Sequence, residues 1–277
     1  MRGCYTGARM ASHNAPKCWK IAMVARISVK RLMVAWALML AHGLLAAESL
    51  PQIIPKIKPS VVAVGTHLPT RRPPAAVLGT GFVVGDGRSI ATNAHVLPDA
   101  LDLEHREHLA IFQRRGDGIR MWRATRQALD ERHDLALLRI EGGPLPPLGL
   151  ASRPAREGAL YAFTGFPVGS VLGLYPVTHR GIVSAVTPIA VPVGGSRELD
   201  PAMIARLRDP YPVLQLDATA YPGNSGSPLY RPEDGRVVGI LNMVFVKESK
   251  ESVLEKPSGI AYAIPVTHLR ALLESGR

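Results

Sequence analysis

From residue 59 onward the apolar residues come in short runs rather than at helical spacing. Val61–Val64, Gly81–Val84, Ser89–Thr92, His108–Phe112, Met121–Ala128 and Leu135–Ile140 are set off by Gly, Pro and charged turns, which predicts six strands. Six further runs follow at Leu160–Gly165, Arg180–Val186, Val213–Leu216, Ser227–Tyr230, Arg236–Val246 and Gly259–Ile264. Between the two series, Gly142-Gly143-Pro144-Leu145-Pro146-Pro147 and Arg153-Pro154 interrupt regular structure and predict a linker over about 142–158. Six strands on each side point to an all-β fold of two six-stranded antiparallel barrels, at about 59–141 and 159–265. Residues 198–208 depart from this pattern, with helical spacing and Asp200 ahead of Pro201, and predict a helical insertion on the second barrel. The tail over 267–275 sets Leu269, Leu272 and Leu273 on one face, which predicts a short closing helix.

The first 47 residues follow a different pattern. Lys30-Arg31 precede an apolar run from Leu32 to Ala47, broken by His42 and ending in small residues beside Glu48, the three-part pattern of a secretory leader cleaved near Ala46 or Ala47. An uncleaved membrane anchor is the alternative, although a spanning helix usually needs about 20 apolar residues. Met23 would begin a leader of ordinary length. Export to the periplasm or beyond is the expectation.

Charge changes meaning once it is divided along the chain. The formal net charge is +11, but residues 1–47 hold seven Lys or Arg and no acid, so the rest carries four net positive charges. That is too mild to mark a nucleic-acid binder. Gly (26) and Pro (24) are plentiful enough for many turns yet short of a low-complexity chain. Both cysteines, Cys4 and Cys18, fall in the leader, so the body must hold together by packing without disulfides.

Three polar motifs stand out from this background: Thr92-Asn93-Ala94-His95-Val96, then His133-Asp134 opening an apolar strand, then Pro222-Gly223-Asn224-Ser225-Gly226-Ser227-Pro228. A serine hydroxyl becomes an effective nucleophile when an imidazole removes its proton, and that imidazole needs a carboxylate at its other nitrogen to fix its tautomer. Ser225, His95 and Asp134 are the candidates, in the chain order His, Asp, Ser that separates the chymotrypsin arrangement from other triads. Two barrels facing each other would unite them. The Gly-X-Ser turn offers the backbone N–H groups of Gly223 and Ser225 as donors to an oxyanion. Asp217 is the rival acid and reads as structural.

At these residues the sequence resembles the trypsin-like serine peptidases, and within them the bacterial HtrA-like branch, over about residues 59–266. Gly79-Thr80-Gly81-Phe82-Val83-Val84, Gly165-Phe166-Pro167-Val168-Gly169, Gly181-Ile182-Val183-Ser184 and Gly259-Ile260-Ala261-Tyr262-Ala263-Ile264-Pro265 resemble the strand segments of that branch. The resemblance implies a chymotrypsin-like fold and hydrolysis of peptide bonds in unfolded or exposed segments of protein substrates, without cofactor or metal. It leaves a homo-oligomer open. HtrA-like proteins usually continue into PDZ domains whereas this sequence ends at Arg277, so the resemblance does not carry over PDZ-based capture or regulation. Animal trypsins carry Asp immediately before the serine, where this chain has the uncharged Asn224. The serine motif is also similar to that of bacterial glutamyl endopeptidases, but Leu241 stands where their pocket histidine would be. An apolar specificity pocket of Thr219, Ile240, Leu241 and Asn242 is expected instead.

Glu104-His105-Arg106-Glu107-His108 has two histidines three apart but neither the zinc-protease spacing nor a cysteine partner, so no metal is expected there. Arg114, Arg115, Arg120, Arg123 and Arg126 around Trp122 read as a solvated sheet edge rather than a nucleic-acid surface. His133 and Ser227 read as structural neighbours of the motifs. The functional alternatives are a catalytically latent binding or chaperone module of the same fold, and an esterase using the same triad.

Overall fold

The computed structural model of the chain describes residues 49–167, 173–189, 209–242 and 259–276. A short helix α1 (Leu50–Ile57) leads into β1 (Val61–His67), β2 (Ala75–Val84), β3 (Ser89–Thr92), β4 (His108–Arg115), β5 (Gly118–Asp130) and β6 (Leu135–Ile140). These six strands close into a barrel in the order β1-β2-β3-β6-β5-β4. β7 (Leu160–Gly165), β8 (Val177–Pro188), β9 (Pro212–Asp217), β10 (Pro228–Tyr230), β11 (Val237–Asn242) and β12 (Ile260–Pro265) close a second, in the order β10-β11-β12-β9-β8-β7. Helix α2 (Val266–Ser275) ends the described chain. Two closed six-stranded antiparallel barrels and a short C-terminal helix are the architecture that the apolar runs predict.

The runs for β3, β6 and β7 match the strands residue for residue, the last part of the Arg236–Val246 run lies outside the described residues, and others understate their strands. β2 begins at Ala75, β5 reaches from Gly118 to Asp130 and β8 from Val177 to Pro188. In β5 the first end is solvent-facing, with Gly118 to Met121 all exposed, so ladder pairing holds it in the sheet where apolar burial gives no signal. The leader and the predicted helix at 198–208 lie outside the described residues. Helix α1 has no counterpart among the predicted elements. Pro51 sits in its first turn, where a missing N–H costs nothing, and Ile53 and Ile57 bury one helical face.

Strand alternation explains how one barrel wall serves two cores. Val61 to Val64 in β1 are all buried, with Val62 and Val64 in a cluster with Val83, Ile90, Ile111 and Leu138, and Val61 and Ala63 in another with Phe166, Tyr230 and Ile264. The first cluster belongs to one barrel; the second draws on both. A third cluster, including Phe163, Leu214, Leu229 and Leu241, belongs to the second barrel. The segment after β6 is stitched to both barrels through backbone bonds from Leu148 N–H to Val83 O (2.9 Å) and from Ala151 N–H to Val237 O (2.8 Å). Among the described residues no helix is long and apolar enough to cross a membrane.

Candidate active site

Ladder register brings the first two motifs together. Thr92 at the end of β3 pairs with Ala136 at the start of β6, so the chain leaving β3 meets the chain entering β6. Asn93 Nδ2 and Ala94 N–H donate to Asp134 O at 3.0 and 3.2 Å, which fixes the backbone of each motif on the other. Asp134 takes a positive φ of 52°, uncommon for a residue other than glycine but more accessible to aspartate than to most. Its carboxylate is 6% exposed; Oδ1 accepts from the His95 backbone N–H at 2.9 Å and Oδ2 lies 2.6 Å from His95 Nδ1.

Asn242, at the end of β11, completes this arrangement. Its Nδ2 donates to Asp134 Oδ2 at 2.6 Å. Asp134 thus receives bonds on both oxygens and behaves as an acceptor, so the proton shared with His95 belongs on Nδ1 and leaves the Nε2 lone pair available. Of the residues expected to line a specificity pocket, Asn242 is fully buried and bonded to Asp134, Ile240 belongs to the cluster that draws on both barrels, Leu241 belongs to the second-barrel core, and Thr219 is half-buried. A buried asparagine closing the otherwise apolar run Val237-Val238-Gly239-Ile240-Leu241 was the available sequence signal, since a buried amide must find a partner.

The third motif folds as a tight turn between β9 and β10. Asn224 N–H donates to Tyr221 O at 2.9 Å, Ser227 N–H to Asn224 O at 3.0 Å, and Gly226 N–H to Leu241 O at 2.9 Å. The N–H groups of Gly223 and Ser225 have no acceptor among the described residues. They are the two that the Gly-X-Ser pattern assigned to an oxyanion, and Gly223 adopts φ +97°, which an L side chain rarely tolerates. The turn docks on the first barrel through Thr80, whose N–H donates to Ser225 O at 2.9 Å. A Cβ built on Gly79 would lie 2.8 Å from Val96 and 3.1 Å from Ser225 O, so one position of β2 touches both the histidine turn and the serine turn. Ser225 is 7% exposed, and among the described residues its hydroxyl makes no hydrogen bond to the His95 ring. Such nucleophile–base contacts commonly tighten only when substrate binds.

The other residues singled out by sequence have different partners. His105 Nδ1 lies 2.8 Å from Asp102 Oδ2, while Glu107 accepts from Thr66 Oγ1 at 2.7 Å and Arg71 at 3.0 Å. Arg114 stacks over Tyr175 and Arg120 over Trp122. Asp217 is exposed at the end of β9, opposite Ile182 and Ile260. His133 lies 2.7 Å from Asp130 and stacks on His268 of α2 at 3.9 Å between ring centroids. The side chains of Asn224 and Ser227 are buried beneath the serine turn.

Two closed antiparallel barrels, with a His–Asp pair on the first and a serine turn of the second docked against it, define a chymotrypsin-like fold. The sequence model of the trypsin-like peptidase domain matches residues 79–240, a span that contains all three motifs, and the chain belongs to that family. It is 31% identical over 191 residues to a probable periplasmic serine endoprotease, DegP-like, of Halomonas elongata, covering 68% of this chain and 33% of that one. It is also 31% identical over 204 residues to the mitochondrial serine protease HTRA2 of Drosophila pseudoobscura pseudoobscura, covering 73% of this chain and 40% of that one. The chain therefore spans between a third and two fifths of these curated relatives. Among solved structures, the serine endoprotease from Yersinia pestis superposes with a TM-score of 0.58 at 26% identity, over 83% of this chain and 66% of that one.

Proposed function

We propose that this protein is an exported serine endopeptidase acting through Ser225, His95 and Asp134. The observation that carries the reading is the doubly held Asp134 carboxylate, with His95 Nδ1 and Asn242 Nδ2 each 2.6 Å from Oδ2. Held in this way by Nδ1, His95 keeps Nε2 for the role of base. Ser225 Oγ attacks the scissile carbonyl as its proton passes to Nε2, and the Gly223 and Ser225 N–H groups receive the oxyanion. Collapse breaks the C–N bond, with the Nε2 proton leaving on the amine. Water then attacks the acyl ester by the same route and restores the serine. Asp134 stabilises the transient imidazolium and stays ionised throughout.

Unfolded or exposed segments are the proposed substrates, supported by similarity to the HtrA-like relatives. Periplasmic export is supported by the basic and apolar pattern of residues 30–47 and by similarity to the probable periplasmic endoprotease of Halomonas elongata. A fluorophosphonate probe applied to the protein beginning at Glu48 tests the chemistry directly. Labelling is expected in the parent and lost in Ser225→Ala and His95→Ala; a folded parent that neither labels nor cleaves unfolded casein would instead support the latent binding module.

A further inference from the structure

Thr80, fully buried in the middle of β2, directs every polar group it owns at the catalytic region. Its N–H donates to Ser225 O at 2.9 Å, and its carbonyl accepts from Thr92 Oγ1 at 2.7 Å, just ahead of the His95 turn. Phe166 N–H donates to Thr80 Oγ1 at 3.0 Å, and Thr80 Oγ1 donates to Gly223 O at 2.7 Å. The direction of that last bond is settled because a hydroxyl has one proton and a backbone carbonyl can only accept.

The bond to Gly223 O matters because of what a peptide plane is. Carbonyl and N–H of a trans peptide point in opposite directions on one rigid plate. In the Gly223–Asn224 plate, Thr80 holds the carbonyl at 2.7 Å and Tyr221 O holds the N–H at 2.9 Å. Thr80 also takes Ser225 O. The two carbonyls on either side of Asn224 are thereby drawn toward β2, while the N–H groups of Gly223 and Ser225 keep no described acceptor. Without the hydroxyl, glycine at 223 leaves the plate free to rotate and to bring the negative end of its dipole toward a developing oxyanion.

We propose that Thr80 is a positioning residue that holds the oxyanion turn open by anchoring the Gly223 carbonyl. It rests on the peptidase reading above, and it adds a reason why the first barrel is needed for more than its histidine. β2 sets the donor pair of the second barrel against the base of the first from a single strand. Because the oxyanion forms only during reaction, the contribution falls on the chemical step rather than on substrate binding.

The test compares Thr80→Ser, which keeps the hydroxyl, with Thr80→Val, which keeps the shape and loses it. Thr92→Val, which removes a neighbouring bond to the Thr80 carbonyl, controls for general damage to β2. Thr80→Val should lower kcat for a peptide ester and the fluorophosphonate rate by about 10–100-fold with KM changed less than about threefold, and Thr80→Ser should restore both. Equal losses in Thr80→Val and Thr80→Ser, or parent-like rates in folded Thr80→Val, would overturn the assignment. Where Thr80→Val does not fold, Thr80→Cys offers a weaker donor of similar size; an intermediate rate supports the role and a parent-like rate rejects it. Crystal structures of the parent and Thr80→Val separate this inference from the peptidase reading. A Gly223–Asn224 plate turned or disordered only in the variant supports it even if the parent proves inactive, and an unmoved plate refutes it.

Discussion

Asp134 and Asn242 are separated by 108 positions in the chain and by 2.6 Å in space. The contact joins the acid of the first barrel to the last residue of a central strand in the second. Replacing Asn242 by Leu leaves a buried carboxylate oxygen one donor short, a loss of about 1–3 kcal/mol by the usual penalty for such groups. Thermal unfolding should show the destabilisation, and the labelling rate of the folded fraction should fall because His95 loses part of its anchor. A parent-like labelling rate would reduce Asn242 to a packing residue.

Asp134→Asn keeps the shape of the pair and removes the charge. The Asn242 amide then faces an amide, and His95 can no longer donate from Nδ1 to a carboxylate. Activity should drop on the order of 10³–10⁴-fold while the circular dichroism spectrum stays that of the parent. A loss below about tenfold would argue that another acid orients His95.

The barrels and all three motifs were legible in the sequence because each depends on local pattern. Short apolar runs locate strand centres, and His95, Asp134 and Ser225 stand out as polar positions beside them. What pattern could not show was which partner each strand residue meets. Ile240, Leu241 and Asn242 are neighbours in the chain, yet they divide among a shared core, the second-barrel core and Asp134. Helix α1 was not among the predicted elements; Pro51 is compatible with it because a helix's first turn requires no N–H there. Thr80 between two glycines was visible as a residue and silent as a role, because its partners Gly223 and Phe166 are remote in the chain.

Gly165 should tolerate no side chain. A Cβ there would overlap Ser227 Oγ and lie 2.9 Å from both Asn224 Oδ1 and Thr80 Oγ1, beneath the serine turn. Gly165→Ala is expected to cost about 1–3 kcal/mol through overpacking and to slow labelling by shifting the turn. Unchanged urea midpoint and labelling rate together would show that the turn can yield without consequence.

Stability should fall on mild acidification through His268. Burial, reinforced by the neighbouring His133 and opposed by Asp130, pushes its pKa down to about 4 from an ordinary 6.5. The unfolded chain therefore takes up a proton at a pH where the folded chain does not. The stabilisation is complete above about pH 6.5 and is lost as pH falls toward about 4, a change on the order of 1–3 kcal/mol. Urea unfolding across that window should show the slope, and His268→Phe, which can still stack on His133 and Tyr211, should flatten it. An unaltered slope in the variant would assign the acid sensitivity elsewhere.

Helices α1 and α2 each reach the barrel they do not adjoin in the chain. Helix α1 precedes the first barrel but sets Ile53 and Ile57 against Gly235 in the second, while α2 follows the second barrel and ends against Ala128 and Leu137 of the first. Each helix thus ties the barrel beside it in the chain to the other one. Either half made alone would lose one of these ties.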